Sequence, residues 1–515
     1  MAKSKSTKSS SATIGFEQQI WDAACELWGH IPAADYRKIF TGLIFLKYIS
    51  TAFEKKYKEL VEEGVGFENA YCQNPVCVPS RCSFLSGLYP HTTGHRTMHF
   101  LQEEDEPNIL RIMKNAGYEV IWIGRNDVVP GDKTKTDYCD EYYNGINPGN
   151  TRDKTYDVMS SLQHTKHDAT DDLPFNKDEY SFYIGKVSEE KSGPADVGCV
   201  NACLEYLDCK KREGNDKPFF IYCTLMYPHP PYGVCEPWFS MIDRNALPPW
   251  KKWNPNKPKM LVETANRMEL HDWSEERWNE LRAVYLGMTA KWDDQLGQVV
   301  NKLKECGFYD DTNIFCFSDH GDYTGDYDIV EKLQNCFEDD LTNIPLVIKP
   351  SRNISCKPRV TKALAELVDL NATVSEMTGV PLNYVQYGKS LVHVLEGDET
   401  HREAVFAEGG RPMGDRPAME LGHDDPADMY WPRLSVQHQE DGAHGRAVMC
   451  RMGDLKYTMR LYEKDELYDL SKDPDEQINV IDDPSYLSAI LEFQKTILRW
   501  YQETVDWVPD RKDKR

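Results

Sequence analysis

The spacing of hydrophobic residues divides the chain into a helical beginning and a longer region in which helices alternate with strands. Over residues 13–60, apolar positions recur every three or four residues, which predicts amphipathic helices. From about Gly64 onward, helical stretches lead into short apolar runs. The predicted strands are 120–123, 219–222, 314–317 and 344–348. This alternation predicts a central, mostly parallel sheet, in which we expect 314–317 to be a buried strand.

The longest predicted helix runs from Ser274, a plausible N-cap, to Glu305, and Gly307 suits its end. Beyond about residue 396 the pattern loosens into a smaller α+β region that closes with a helix over 484–500. We therefore expect three parts: a helical segment at 1–60, a large α/β domain at 61–395 and a small C-terminal α+β domain at 396–515.

Composition and charge narrow the classes of function. The chain has 515 residues, of which 40% are hydrophobic and 28% charged, as in ordinary globular proteins. Its net charge of -24 would repel a phosphate backbone, so we expect no nucleic-acid partner. For an anionic ester as substrate, the site must be a local positive pocket built from a metal ion and a few Lys or Arg side chains.

The cysteines and the beginning of the chain bear on its location. The 15 cysteines form no CxxC pair and no zinc-binding spacing, which favours reduced, mostly buried thiols. The Lys- and Ser-rich start is not followed by the apolar core of a signal peptide. The most apolar early stretch, 40–49, is interrupted by Lys47 and too short to span a membrane. We expect a cytoplasmic protein without a membrane partner.

The most specific chemical signal is Cys77-Val78-Pro79-Ser80-Arg81, followed by Leu-Ser-Gly at 85–87. This segment resembles the formylglycine-dependent sulfatases of the alkaline-phosphatase-like superfamily. The resemblance implies that a maturation enzyme oxidises Cys77 to formylglycine and that Arg81 belongs to the catalytic group. An aldehyde hydrate suits sulfate transfer because one oxygen attacks sulfur, and deprotonation of the other then expels sulfate by restoring the aldehyde.

The resemblance also implies a divalent cation, which would make the hydrate oxygen acidic enough to react near neutral pH. Asp319 and His320 directly follow the predicted strand 314–317, where open α/β sheets place their ligands. We predict that Asp319, His320 and the oxidised Cys77 hold this cation. Calcium is expected, with magnesium as the less common choice, because both are hard cations that prefer oxygen ligands.

Three further segments follow the order of the sulfatase family. Arg125 lies where many members carry the lysine of Gly-Lys-x-His, and it is predicted to bind sulfate. Asp127 stands in place of the histidine, and its role is open. His229, in Pro-His-Pro, would act as general acid at the bridging oxygen. Lys332 matches the family's sulfate-binding lysine.

The resemblance covers about residues 61–515, including the Asp465–Leu470 segment, which is similar to the C-terminal hairpin of sulfatases. It implies an alkaline-phosphatase-like mixed sheet between helices, with a smaller C-terminal α+β domain. Sulfatases open with an apolar strand that ends in two adjacent aspartates, and neither precedes Cys77 here. Instead, residues 11–60 resemble the helical N-terminus of methyltransferase subunits of type I restriction systems. We expect this helical extension in place of the first strand, and hence weak cation binding and impaired activity.

The leading hypothesis is hydrolysis of sulfate monoesters, with a sugar sulfate or small aryl sulfate as substrate and a formylglycine-generating enzyme as partner. One alternative is a phosphatase or phosphonate monoester hydrolase of the same superfamily. Another is a non-catalytic helical interaction module of a DNA-modification complex, which only the N-terminal segment favours.

Overall fold

The computed structural model describes residues 57–509, apart from 132, 144–176, 215, 423 and 441. The predicted helical segment 1–60 therefore lies outside the described residues except for 57–60. The strands are β1 (Val65–Tyr71), β2 (Glu119–Gly124), β3 (Glu141–Tyr143), β4 (Tyr183–Lys186), β5 (Phe219–Thr224), β6 (Tyr232–Val234), β7 (Ile314–Phe317), β8 (Asn343–Lys349), β9 (Arg359–Glu366), β10 (Val405–Gly409), β11 (Ala447–Met452), β12 (Leu455–Arg460) and β13 (Glu466–Asp469). The α-helices are α1 (Tyr57–Glu62), α2 (Cys77–Ser86), α3 (Pro90–Thr93), α4 (Ile109–Asn115), α5 (Pro194–Glu213), α6 (Trp238–Met241), α7 (Lys259–Met268), α8 (Glu275–Cys306), α9 (Asp339–Thr342), α10 (Asp369–Thr378), α11 (Val392–Glu396), α12 (Trp431–Gln439) and α13 (Leu487–Thr504).

Two sheets carry the α/β part of the chain. The first has the strand order β7-β8-β1-β9 and the second β3-β2-β5. The second sheet is parallel throughout, whereas β8 runs antiparallel to both of its neighbours. The prediction of a mostly parallel sheet was therefore wrong for the first sheet. Only the short α9 and a 3-10 turn lie between β7 and β8, and antiparallel neighbours need no long crossover helix.

Side chains alternate along the strands between two apolar clusters, one on each face of the sheets. On β2, Val120 and Trp122 belong to one cluster, while Ile121 and Ile123 belong to the other. Successive side chains of a strand point to opposite faces, so both faces of this strand are buried. The four side chains are fully buried, as expected for a parallel strand that is covered on both sides.

The long helix α8 confirms the prediction made for residues 274–305. The Ser274 side chain accepts a hydrogen bond from the Arg277 N–H, and Gly307 ends the helix with a φ of 79°. A left-handed residue at this position favours glycine, which has no Cβ to clash. Trp278, Leu281 and Met288 are fully buried on the inner face of the helix.

The C-terminal part is an antiparallel sheet, β10-β11-β12-β13, covered by α13. The predicted hairpin segment forms β13, paired with β12, and the predicted last helix is α13. Phe493, Ile497 and Trp500 lie one turn apart on its buried face, and the Trp500 ring stacks on Phe406 with centroids 4.6 Å apart. The boundaries predicted for the domains stay predictions. Among the described residues, no helix combines the length and the apolar character needed to cross a membrane.

One strand differs from its prediction in a way that matters for the site. Residues 314–317 form β7 as expected, but Ile314, Phe315 and Phe317 are only half-buried. The prediction of a buried strand was therefore wrong. β7 is the last strand of its sheet, and no strand among the described residues pairs with its outer edge.

Candidate active site

Cys77 is the first residue of α2 and is buried. The turn before it is held by Asn74, whose side-chain oxygen accepts a hydrogen bond from the Val76 N–H at 3.1 Å. The Asn74 amide donates to the Glu408 carbonyl at 2.8 Å, which links this turn to β10. The N-terminal end of a helix presents free N–H groups and a partial positive charge, which favours a negative group at position 77.

The loop after β7 brings Asp319 and His320 to this helix end. The Ser80 hydroxyl donates to the Asp319 carbonyl at 2.6 Å and so ties α2 to the loop. Gly321 is required here because a Cβ would stand 1.9 Å from the Asp340 carbonyl oxygen. The close approach of these two backbone segments fixes the direction of the His320 side chain.

His320 Nε2 lies 3.1 Å from the Cys77 Sγ, while its Nδ1–H donates to the Gly321 carbonyl at 2.8 Å. Burial alone would raise the pKa of the Cys77 thiol, but Lys332 and His320 outweigh it, so the pKa is lowered. Burial lowers the pKa of His320, but Asp319 and Cys77 outweigh that effect and raise it to about 8. In the unmodified chain each of these two groups therefore favours the charged form of the other.

Arg81 and Asp319 form a partly buried ion pair, with Arg81 Nε 2.8 Å from Asp319 Oδ2. Burial opposes ionisation of Asp319, but Arg81 and His320 hold the pKa of the carboxyl below its usual range. Asp127, whose role the sequence left open, pairs with Arg125 and lies 3.9 Å from Arg81 Nε. It therefore holds two arginines of the site near each other.

Lys332 is buried, and its Nζ lies 3.1 Å from His229 Nε2. The His229 Nδ1–H donates to the Pro230 carbonyl at 2.7 Å, so Nε2 is free to accept a hydrogen bond from Lys332. Burial, Lys332 and Arg125 hold the pKa of His229 well below its usual value. His229 is therefore neutral at physiological pH.

Two charged residues that position Lys332 were not predicted from the sequence. The buried Glu331 carboxylate contacts Lys332 Nζ and lies 3.3 Å from Arg433 Nη1. Arg433, on α12, is also buried and lies 3.5 Å from Glu420. No motif marks Glu331 or Arg433, because a buried ion pair between distant segments leaves no local pattern. The cations of the site are thus paired with carboxylates, and an anionic substrate has to compete with them.

The structure brings together all the residues that the sequence indicated: Cys77, Arg81, Arg125, His229, Asp319, His320 and Lys332. Within this group, Cys77, Asp319 and His320 could hold a metal ion, because one ligand atom from each lies within 4.8 Å of the others. A calcium ion takes about 6–8 oxygen ligands. The group has a single carboxylate, and one of its oxygens already accepts a hydrogen bond from Arg81. The described residues alone therefore do not complete a calcium site.

The site has a cysteine at the start of a helix, a carboxylate and an imidazole after a strand, and a lysine–histidine pair. This arrangement defines a hydrolase site for anionic esters. Residues 46–380 match the family model described as Sulfatase. The N-acetylglucosamine-6-sulfatase of Homo sapiens is 26% identical over 470 residues, covering 83% of this chain and 77% of that protein. The multifunctional alkaline phosphatase superfamily protein PehA of Trinickia caryophylli is 25% identical over 495 residues, covering 86% of this chain and 88% of that protein.

The fold has similar solved structures. The crystal structure of the phosphonate monoester hydrolase of Agrobacterium radiobacter superposes with a TM-score of 0.67 at 22% identity, covering 88% of this chain and 91% of that one. The predicted alkaline-phosphatase-like α/β fold is thereby confirmed. The chain belongs to the sulfatase family, and it is a hydrolase of that family. The resemblance of residues 11–60 to restriction methyltransferase subunits is not shown by the comparisons and stays a prediction.

Proposed function

We propose that this chain hydrolyses sulfate monoesters of sugars, with formylglycine formed from Cys77 as the nucleophile. One observation carries the proposal: residue 77 lies at a helix start with His320 at 3.1 Å and the Lys332–His229 pair beside it. The sugar substrate is supported by the name of the human relative, an N-acetylglucosamine-6-sulfatase.

The reaction would run in two stages. One hydroxyl of the aldehyde hydrate loses its proton, and its oxygen forms a bond to sulfur. The bond from sulfur to the sugar oxygen breaks, and the sugar oxygen leaves with the electron pair and takes up a proton. The second hydroxyl of the hydrate then loses its proton. The carbonyl re-forms, the bond from carbon to the sulfate oxygen breaks, and sulfate leaves. Water adds to the aldehyde to restore the hydrate.

The positions of the side chains suggest a role for each. Lys332 and Arg125 would bind the sulfate oxygens as cations. His229 is neutral and accepts a hydrogen bond from Lys332 Nζ, 3.1 Å away, so it must first take up a proton before it can act as general acid at the sugar oxygen.

The proposed cation is calcium, or magnesium, with Asp319 and His320 as its ligands in this chain. These two residues do not complete a calcium site, so we propose weak binding of the ion and impaired hydrolysis. The formylglycine itself requires a maturation enzyme as partner. A cytoplasmic location, expected from the sequence, also belongs to this proposal.

Peptide mass spectrometry across residue 77 tests the proposal directly. In chain produced together with a formylglycine-generating enzyme, we expect the mass of the aldehyde in place of the thiol. Turnover of an aryl sulfate should rise with the converted fraction. The Cys209→Ser variant, altered on the outer part of α5, is the control and should behave like the unchanged chain. A fully converted chain without any sulfate turnover would contradict the proposal.

A second candidate is a phosphonate or phosphate monoester hydrolase, which the likeness to the Agrobacterium enzyme supports. A phosphate monoester carries about one negative charge more than a sulfate monoester near neutral pH, whereas a phosphonate monoester carries the same single charge as the sulfate ester. Turnover of matched aryl sulfate, phosphate and phosphonate esters separates the two candidates. A preference for the phosphorus esters would favour the second.

A further inference from the structure

Tyr430 lies at the candidate active site, although no sequence motif marks it. It directly precedes α12, and its backbone N–H donates to Asp428 Oδ1 at 2.8 Å. Its ring packs on the Phe182 ring with centroids 5.1 Å apart, and the guanidinium carbon of Arg433 lies 4.9 Å from the centre of the Tyr430 ring. These contacts, which include a cation–π interaction, hold the Tyr430 side chain in one direction.

Arg433 joins Tyr430 to the Lys332–His229 pair. Its Nη1 lies 3.5 Å from the Lys332 carbonyl oxygen and 3.3 Å from the Glu331 carboxylate, which contacts Lys332 Nζ. Lys332 Nζ in turn lies 3.1 Å from His229 Nε2. The Tyr430 ring therefore packs directly on one of the two residues that position the lysine proposed to bind sulfate.

The Tyr430 hydroxyl lies among the charged groups proposed to bind the ester. Four of these groups act on it electrostatically: Glu331, Lys332, Arg433 and Arg125. Burial is the largest cause that raises the pKa of Tyr430, to about 12, so the hydroxyl keeps its proton at physiological pH. It is therefore a neutral hydrogen-bond donor in a cluster of charged side chains.

This donor is not used within the described part of the chain. No hydrogen bond joins the Tyr430 hydroxyl to a described residue, and Tyr430 is only half-buried, so a bound molecule can reach it. Two tyrosines close to Glu331 are different, because Tyr232 donates to Asp322 at 2.8 Å and Tyr323 donates to Glu338 at 2.7 Å. Polar groups in such surroundings are normally paired, which indicates that the acceptor for Tyr430 is a ligand of the site.

We propose that Tyr430 is a substrate-binding residue whose hydroxyl donates a hydrogen bond to a non-bridging oxygen of the ester sulfate, beside Lys332 and Arg125. The inference rests on the proposed hydrolysis of sulfate monoesters. Neighbouring cations polarise the O–H bond, and hydrogen bonds to an anion are strong. Lys332 and Arg125 are paired with carboxylates and must be drawn from them, whereas the Tyr430 hydroxyl has no such competitor.

Ester binding by the Tyr430→Phe variant tests the proposal. Phenylalanine keeps the ring that contacts Phe182 and Arg433 and removes only the hydroxyl. Calorimetric titration with para-nitrophenyl sulfate is performed on chain produced without a maturation enzyme, which does not turn the ester over. We expect the dissociation constant to rise at least about tenfold, the size expected for a hydrogen bond to a charged group. The midpoint of urea unfolding should stay the same, because the hydroxyl has no partner in the chain.

Two further variants frame this result. Tyr118→Phe is the matched control, because Tyr118 is also half-buried but precedes β2, at the end of the strand opposite to Arg125. Its dissociation constant for the ester should equal that of the unchanged chain. Lys332→Met, which removes a cation proposed to bind sulfate, should weaken binding as Tyr430→Phe does.

Steady-state kinetics of the converted chain identify the oxygen that Tyr430 contacts. A non-bridging oxygen is negatively charged both in the bound ester and in the transition state, so losing the contact weakens both similarly. The Tyr430→Phe variant should therefore raise KM about tenfold and change kcat less. The same factor is expected for an aryl sulfate and for a sugar sulfate, because the contact does not involve the leaving oxygen.

Three results would overturn the role of Tyr430 and leave sulfate hydrolysis in place. The first is an unchanged dissociation constant in Tyr430→Phe while Lys332→Met binds weakly. The second is a loss of kcat that grows from the aryl to the sugar sulfate, which would place the hydroxyl at the bridging oxygen. The third is a lower urea midpoint in Tyr430→Phe, which would mean that the hydroxyl is paired within the chain.

A different result would remove the proposed function together with this inference. It is an unchanged chain that neither binds the ester before conversion nor turns it over after conversion of Cys77.

Discussion

Replacing Glu331 by Gln is expected to destabilise the chain through the buried charges around the Lys332–His229 pair. The Glu331 side chain is 3% exposed, its carboxylate contacts Lys332 Nζ, and it lies 3.3 Å from Arg433 Nη1. Gln has nearly the same shape, so the change removes the negative charge and little else. Arg433 still has Glu420 at 3.5 Å, whereas Lys332 keeps only the neutral His229 and the Cys77 thiol as neighbours.

The size of the effect follows from the cost of an unpaired buried charge. Removing one partner of a buried ion pair typically costs about 3–5 kcal/mol. Because Arg433 keeps a second carboxylate, we expect about 3 kcal/mol, at the lower end of this range. Replacing Lys332 by Met in addition removes the charge that lost its partner. The double variant should therefore recover part of the loss, and the two changes should not be additive.

Urea unfolding followed by tryptophan fluorescence measures the effect, with the transition midpoint as the readout. The matched control is Glu68→Gln, an exposed glutamate on β1, which should shift the midpoint by little. If Glu331→Gln unfolded at the same urea concentration as Glu68→Gln, Glu331 would not be ionised and paired as described. Additive effects of the Glu331 and Lys332 changes would also contradict the reasoning.

Three further predictions concern the site itself. Compared with the converted chain, the Cys77→Ala variant should show no sulfate turnover, because it lacks both oxygens of the hydrate. The Cys77→Ser variant should lose nearly as much turnover where the maturation enzyme converts only cysteine. A wild-type rate in either variant would exclude the aldehyde as nucleophile. In the unconverted chain the pKa of His320 is raised to about 8 from an ordinary value near 6.5. The pairing of His320 therefore adds about 2 kcal/mol to the free energy of unfolding. This contribution is fully present below pH ~6.5 and is lost as the pH rises through 8. The stability difference between the chain and its His320→Gln variant should therefore shrink between pH ~6.5 and ~9, and a constant difference would refute the pairing. Calorimetric titration with calcium should show weak binding, because Asp319 is the single carboxylate of the group, whereas tight stoichiometric binding would show that further ligands are present.

Several features of the fold could be predicted from local sequence because their causes are local. Helix α8 begins at Ser274 and ends at Gly307 since the capping hydroxyl and the left-handed glycine act on neighbouring backbone groups. β7 could be located from its apolar run, and α13 from its periodicity. The direction of β8 and the half-burial of β7 could not, because strand direction and edge position depend on which distant segments pair.

For the candidate site, too, some features could be predicted from the sequence and others could not. The residue types and their order, from Cys77 to Lys332, could be predicted because these short segments resemble motifs of the sulfatase family. The sequence also indicated that no two adjacent aspartates precede Cys77. Only the tertiary structure decided that Glu331 and Arg433 hold Lys332, that Arg81 binds one oxygen of Asp319, and that β5 and β7 are the outer strands of their sheets. These features join segments that are far apart in the chain, and the energy of such contacts depends on distance and burial in space, which no local pattern of residues records.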